Sequence, residues 1–322
     1  MMKKLLLVSG VLALTLAPLA PAQSITDLTG GLSSFTKDAI GSLPFAASAG
    51  MDWSNAYIGQ LIDTDFPFLH LGVGGTVGLT TIPGKTINPL LVATGNPEID
   101  ILPLPFAVAN VRVGGLLLPF DVGLKIGFLP ESLGNAVSGY AFRYQNIGAD
   151  IRLNLIKSDV IMPDISVGAG VNMLNIGVDK LIDAPAQTYT DLTYNLNIGA
   201  PKITLDMQSL DLEVKGQISK TILWILTPYV GATVMMGSAS AKSGLGASYV
   251  TTDAPSGLGY WSQYGIDVNT DGFVTKNETA TFGVKIFGGA SLNVLILKID
   301  AQGMYNVTDG AVGASLGARL QI

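Results

Sequence analysis

The chain has 322 residues, a mean hydropathy of +0.45 and 13% charged residues, against about 25% in an average soluble domain. It has no cysteine, which excludes disulfides, zinc–thiolate sites and thiol catalysis. Its 18 basic residues against 24 acidic oppose nucleic-acid binding, which calls for a basic excess.

Residues 1–22 read as a secretory signal. Lys3 and Lys4 form the charged start, Leu5 to Leu16 the apolar stretch, and Ala20-Pro21-Ala22 the small-residue cleavage site. The expected mature chain starts at Gln23. Without Lys3 and Lys4 it has 16 basic residues against 24 acidic, a net charge of −8. In residues 23–43, Ile25, Leu28, Leu32, Phe35 and Ile40 recur at roughly helical spacing, interrupted by Gly30-Gly31. This spacing predicts a short amphipathic helix acting as a plug.

From residue 44 the pattern changes to alternation. Side chains alternate across a strand, so a period of two gives one oily and one polar face. The runs are Phe45–Trp53, Leu69–Leu79, Ala107–Val113, Phe120–Phe128, Ile147–Leu155, Ile165–Met173, Leu192–Ile198, Leu210–Ile218, Pro228–Met236, Ala280–Val294, Leu297–Val307 and Val312–Ile322. Between them Pro83–Pro105, with its repeated prolines, reads as a long loop, because proline is barred from a central ladder. Asp179–Thr188 and Gly237–Thr279 also read as irregular.

The charges sort by parity. Arg112, Asp121, Lys125, Asp150, Arg152, Asp211, Glu213, Lys215, Lys285, Lys298, Asp300 and Arg319 all fall on the polar side of their runs. An Arg or Lys facing the bilayer midplane would cost about 2–4 kcal/mol. The stretch Thr221–Ala241 is uncharged but contains Pro228 and many small residues, which argues against a membrane-spanning helix. These features predict an all-β chain: an antiparallel transmembrane β-barrel of about 12 strands, with a range of 10 to 14, over residues 44–322. The last strand is expected to pair with Phe45–Trp53 and so remove both edges. Phe45, Trp53, Phe128, Tyr140, Tyr144, Trp224, Tyr229 and Tyr305 are candidates for aromatic girdles. Met235, Phe287 and Met304 fall on the interior parity.

Two motifs point to chemistry. Asp267-Val-Asn269-Thr-Asp271-Gly272-Phe273, closed by Glu278, matches the calcium loop of EF-hands. Asp267, Asn269, Asp271, the Phe273 carbonyl and Glu278 would supply oxygens to Ca2+. The alternative is a polar loop with an Asn-Thr-Asp-Gly turn. Gly313-Ala-Ser315-Leu-Gly317 matches the nucleophile elbow, which needs a strand–turn–helix and a nearby histidine. Here it lies within a predicted strand and the sole histidine is His70, so no enzyme is expected.

The signal segment, Leu102-Pro-Leu-Pro-Phe106, Leu118-Pro-Phe-Asp-Val-Gly-Leu-Lys125, Ile147-Gly-Ala-Asp-Ile-Arg-Leu-Asn-Leu155 and the terminal strand resemble uncharacterised outer-membrane barrels of spirochaete type. A more distant analogy is to FadL-type transporters of hydrophobic compounds, which share an N-terminal segment that plugs a barrel. The resemblance implies the bacterial outer membrane, with membrane lipid, the barrel-assembly machinery and a small-molecule cargo as partners. Passive passage of small molecules is the leading expectation. The alternative is a non-transport surface barrel, an adhesin or structural protein with a ligand- or calcium-binding loop.

Overall fold

The computed structural model describes residues 25–59, 70–83, 88, 98, 100–115, 118–129, 140–181, 187–190, 195–252 and 273–322. A single long helix, α1 (Ile25–Ala47), comes first. Eleven strands follow: β1 (Leu71–Pro83), β2 (Ile101–Gly114), β3 (Phe120–Leu129), β4 (Tyr140–Ile156), β5 (Asp164–Leu181), β6 (Gln187–Thr190), β7 (Asn195–Ser219), β8 (Leu226–Thr252), β9 (Phe273–Val294), β10 (Leu297–Asn306) and β11 (Val312–Gln321).

Ten of these form a closed antiparallel wall, in the order β1-β2-β3-β4-β5-β7-β8-β9-β10-β11 and back to β1. Closure is made by the last strand, with Gly72 opposite Gln321 and Thr80 opposite Gly313. Leu71 and Ile322 exchange backbone hydrogen bonds at 3.2 and 2.9 Å. The eleventh strand, β6, is a four-residue addition to the overhanging start of β7.

The wall therefore has ten strands among the described residues, not the expected twelve. Leu192–Ile198 and Leu210–Ile218 are not two strands: the described residues from Asn195 belong to one strand, β7, that runs through to Ser219. Phe45–Trp53 is not a strand at all. Phe45 to Ala47 end α1, and Met51 to Ile58 have no regular structure and lie buried inside the barrel. The closing partner of β11 is consequently β1. Three expected loops contain strand: in the stretch 179–188, residues 179–181 end β5 and 187–188 begin β6. Pro103 and Pro105 lie in β2, paired with Thr81 and Leu79 of β1. They are tolerated because, among the described residues, the β2–β3 ladder covers only Ala109 to Gly114, so no ladder there calls on the N–H that proline lacks. Residues 237–252 continue β8, and 273–279 begin β9.

The outside and inside of the wall reverse the order of a soluble protein. Val77, Leu124, Ile126, Leu212, Val214 and Leu316 are 53–62% exposed. The charged side chains on the opposite parity are buried. No helix among the described residues is long and apolar enough to cross a membrane, so the oily surface belongs to strands. A contiguous apolar exterior around a closed barrel is what hydrocarbon requires, because only then is every backbone group paired within the wall. The chain is an outer-membrane β-barrel, the setting in which such barrels occur.

The two ends differ. Residues 115 and 118–119 and the turns 157–163, 220–225 and 295–296 lie at the end that also carries Leu71 and Ile322. Long connections lie at the other end, where β7, β8 and β9 run 25, 27 and 22 residues. About 9–11 residues suffice to span a bilayer, so these three strands rise far beyond it. Short turns face the periplasm in barrels of this kind. In the 157–163 turn the Asp159 carboxylate accepts the Met162 and Ile161 amides, both at 2.7 Å, which holds it below the ordinary carboxylate range. Replacing lipid-facing Leu316 by Arg should cost about 2–4 kcal/mol of stability, whereas Lys242→Ala, above the bilayer, should fall within about ±0.5 kcal/mol. Urea unfolding in lipid vesicles reads both.

Candidate functional site

The interior of the barrel is occupied. Phe35, Ala39, Ile40, Leu43 and Phe45 on α1 form an apolar core with Leu102, Leu104, Phe106, Leu174, Met207 and Met235 of the wall. This core sits toward the long-loop end. There the Thr36 hydroxyl accepts from Asn277 at 2.8 Å, and Ser42 donates to Asp309 in the β10–β11 turn. The helix leaves this region through Gly50, at φ 84°. A Cβ there would stand 2.5 Å from Val108 Cγ2, so both the left-handed conformation and the close approach require glycine.

After Gly50 the chain descends through the lumen without regular structure, and wall side chains take up its carbonyls. Lys125 donates to Ala47 and, at 2.9 Å, to Ala49. Lys285 donates to Ser48 at 3.3 Å, Asn110 to Gly50 at 3.1 Å and Arg112 to Met51 at 3.5 Å. Gln217 donates to Trp53 at 2.6 Å and Ser54 at 3.2 Å, and Arg152 to Asn55 at 2.7 Å. Two descending amides are also met: Ala56 donates to Ser219 at 2.8 Å and Ile58 to Asp121 at 3.2 Å. A buried irregular segment needs such partners, since unpaired backbone groups away from water are costly.

The same cations hold the wall together. Arg112 pairs with Asp121 at 2.5 Å and Asp150 at 2.7 Å. Arg152 grips Asp121 through two bonds of 2.9 Å. Lys215 reaches Asp150 at 2.5 Å and Glu213 at 3.3 Å. The plug adds one carboxylate, Asp52, which lies 2.7 Å from Lys285 and 3.4 Å from Lys215. Nearer the short-turn end Arg319 pairs with Asp300 and donates to Ser54 Oγ at 2.7 Å and Asn55 Oδ1 at 3.0 Å. Its guanidinium lies 4.8 Å from the Trp53 ring centroid, within cation–π range. Lys298 donates to Asn55 Oδ1 at 2.9 Å.

Thus Arg112, Asp121, Lys125, Asp150, Arg152, Asp211, Glu213, Lys215, Lys285 and Arg319 are buried in the interior, and Lys298 and Asp300 stand half-buried near its lower end. Asp211 is set apart, bonded to Ser209 and, at 3.3 Å, Thr281. Glycines make room for these side chains. Gly123 lies between Arg112 and Asp150, and a Cβ on it would meet their tips at 2.6 and 2.4 Å. Gly148 faces Lys125 in the same way.

Sequence reading missed Asp52, Trp53 and Asn55 as plug residues, because an extended chain between protein walls alternates as a strand does. Four girdle candidates are likewise interior: Phe45, Trp53, Tyr144 and Tyr229 are buried, whereas Phe128, Trp224 and Tyr305 face outward. The side chain of Tyr140 lies outside the described residues. Met235, Phe287 and Met304 are buried inside. The polar cavity between Asp52, Trp53, Tyr229, Asp300, Gln302 and Arg319 has a volume of about 10 Å3, room for about one water molecule.

Asp267, Asn269 and Asp271 lie outside the described residues. Phe273 and Glu278 are on β9, where Glu278 pairs with Lys276 at 3.0 Å at the surface. Ser315 lies within β11, its hydroxyl donating to Gln302 at 3.3 Å. Its register partner Gly78 is eight residues along the sequence from His70, about 26 Å at strand spacing.

No family model matches the chain, and no curated protein matches it in sequence. Solved structures similar to it are outer-membrane proteins. The translocator domain of the autotransporter NalP from Neisseria meningitidis is 10% identical, with 88% of this chain and 94% of that one covered and a TM-score of 0.37. The outer-membrane protease OmpT from Escherichia coli is 9% identical, covering 79% and 95%, with a TM-score of 0.33. Omp33 from Acinetobacter baumannii is 6% identical, covering 79% and 98%, with a TM-score of 0.24. Overlaps this loose transfer neither strand number nor activity.

Removing one member of a buried charge cluster leaves the others unpaired. Asp121→Ala, which takes the carboxylate from Arg152, leaves Arg112 with Asp150 alone and frees the Ile58 amide, should cost about 3–5 kcal/mol. Breaking the exposed Lys276–Glu278 pair with Lys276→Ala should cost about 1 kcal/mol or less. Denaturant midpoints of the refolded variants make the comparison.

Proposed function

We propose that the protein is a plugged outer-membrane barrel that passes small molecules when its N-terminal segment shifts. The observation that supports this is the bonding of residues 47–58. Below the apolar core, wall side chains take up the carbonyls of the segment through hydrogen bonds and Asp52 adds ion pairs, beside the buried side chains of Met51, Trp53 and Ile58. Water can take over those bonds when the segment moves, and the net gain per bond is about 1.5–3 kcal/mol where the donor is Lys or Arg and about 0.5–1.5 kcal/mol where it is Asn or Gln. Such a segment is held firmly in place yet can exchange its partners for solvent. The FadL-type analogy, a barrel with an N-terminal plug, fits the same reading.

The charge balance sets the preferred cargo. The twelve interior wall charges comprise seven basic and five acidic residues. Asp52 offsets part of this excess while the plug is seated. Once it leaves, the lumen carries two net positive charges, which favours anionic solutes by attraction within a narrow polar channel. Asp52→Asn removes the plug's ion pairs with Lys285 and Lys215. In planar bilayers it should open more often than the parent protein, with anion-selective currents. A trace that stays closed both in this variant and after deletion of residues 25–59 would sink the pore reading.

A second reading rests on the far ends of β8 and β9, which rise well past the bilayer. We propose Ca2+ as the ligand of the 267–278 segment in a surface-binding role. Calcium titration of the full refolded chain should release heat that Glu278→Ala abolishes. Absence of heat from the parent chain ends this reading.

A further inference from the structure

The short turns are oily at their tips. Val160 and Ile161 are 95% and 85% exposed, Leu223 and Trp224 78% and 89%, and Leu295 95%. These residues share one rim. Lys220 donates to the carbonyls of Asp159 and, at 2.8 Å, Met162, tying the β7–β8 turn to the β4–β5 turn. The Asn293 amide donates to Ile225 at 2.7 Å and the Gln321 amide to Ile296 at 2.8 Å, continuing the rim to the end of β11.

The turns do not need these side chains to fold. Leu223, Trp224 and Leu295 have φ of 50°, 57° and 56° and are the non-glycine residues with positive φ among the described residues. The Ile225 amide donates to Ile222 at 3.1 Å around two left-handed residues, the arrangement that ordinarily selects Asn-Gly. A residue with a Cβ is penalised there. A leucine and a tryptophan in such places point to a use outside the fold's own packing.

The lipid-facing band shows what that use is. On β9 the outward residues Phe282, Val284, Ile286, Leu292 and Val294 lead into Leu295 and Ile296 with no polar residue on that face. From Phe282 to Val294 the band is about 30 Å tall at usual strand rise and tilt, against about 25 Å in ordinary barrels. The excess carries the turns to the headgroup level of the periplasmic leaflet. Lys157 is exposed at the same end, where a long stem can lie along acyl chains and its ammonium reach a phosphate.

We propose that the short-turn rim is a lipid-binding surface, with the tips of the 157–163, 220–225 and 295–296 turns seated in the phospholipid leaflet that faces the periplasm. The barrel thus ends flush with the bilayer instead of projecting from it. Tryptophan at position 224 suits that boundary, having an apolar ring and one N–H to place at the headgroups.

The cysteine-free chain makes the test direct. Nitroxide labels on Ile161→Cys, Trp224→Cys and Leu295→Cys would be read in the full chain refolded into vesicles of phosphatidylethanolamine and phosphatidylglycerol. Leu316→Cys serves as the mid-band control and Glu278→Cys as the water control. Collisions with oxygen relative to an aqueous nickel chelate should be several-fold higher at the rim than at Glu278, approaching Leu316. Three separate positions guard against one variant that fails to fold. Nickel accessibility at the rim equal to that at Glu278 overturns the proposal, as does protection from both reagents, the sign of a rim covered by protein. A water-accessible Leu316 label would instead remove the membrane placement itself, and the proposal with it.

Discussion

Everything inside this barrel follows from one constraint: an irregular stretch of backbone runs through a lumen that gives it no neighbouring strand. From Ala47 to Asn55 its carbonyls are met by side chains of Lys125, Lys285, Asn110, Arg112, Gln217 and Arg152. A helix satisfies its carbonyls internally and a strand satisfies them along a ladder. This segment does neither, so the wall must carry donors at matching heights. Donors of that reach are mostly cationic, and buried cations need carboxylates. Asp121, Asp150 and Glu213 are therefore part of the same solution, and Gly123 and Gly148 are the space it occupies.

This changes what the charge segregation means. On sequence grounds a charged parity reads as the lining of an aqueous pore. In the structure the same residues pack against protein, and a cavity beside Asp300 and Arg319 holds about one water molecule's worth of space. The lipid outside dictates only that charges stay off the outer face. The plug dictates which charges lie where on the inner one. A closed resting state with separable polar contacts is the natural consequence, and the apolar core around Phe35, Leu43 and Phe45 seats the upper end of the plug.

Much of the barrel was legible because lipid imposes a strong pattern. Where strands cross the bilayer, as at Leu210–Ile218 or Val312–Ile322, apolar residues must take every second place. The pattern fades where lipid ends. Ser238, Ser240 and Lys242 face outward on β8, while Ala239, Ala241 and Ser243 face inward, so nothing in that stretch marks a strand. Phe45–Trp53 failed for the opposite reason: it alternates well but has protein on both sides. The interior charges were readable by parity. Their partners were not, because the pairing of Asp52 with Lys285 joins residues 233 apart through the path of a segment without regular structure. The glycines facing Arg112 and Lys125 carried that information, but only register reveals it.

The central claim is that residues 35–58 close the barrel and must move for it to conduct. A disulfide between Ser42→Cys and Asp309→Cys, which replaces an existing side-chain contact in a chain with no other cysteine, would fix the plug to the wall. Conductance of this double variant should be abolished on oxidation and return on reduction. Currents that are the same in the oxidised and reduced states, with the disulfide verified by gel mobility, would contradict the account.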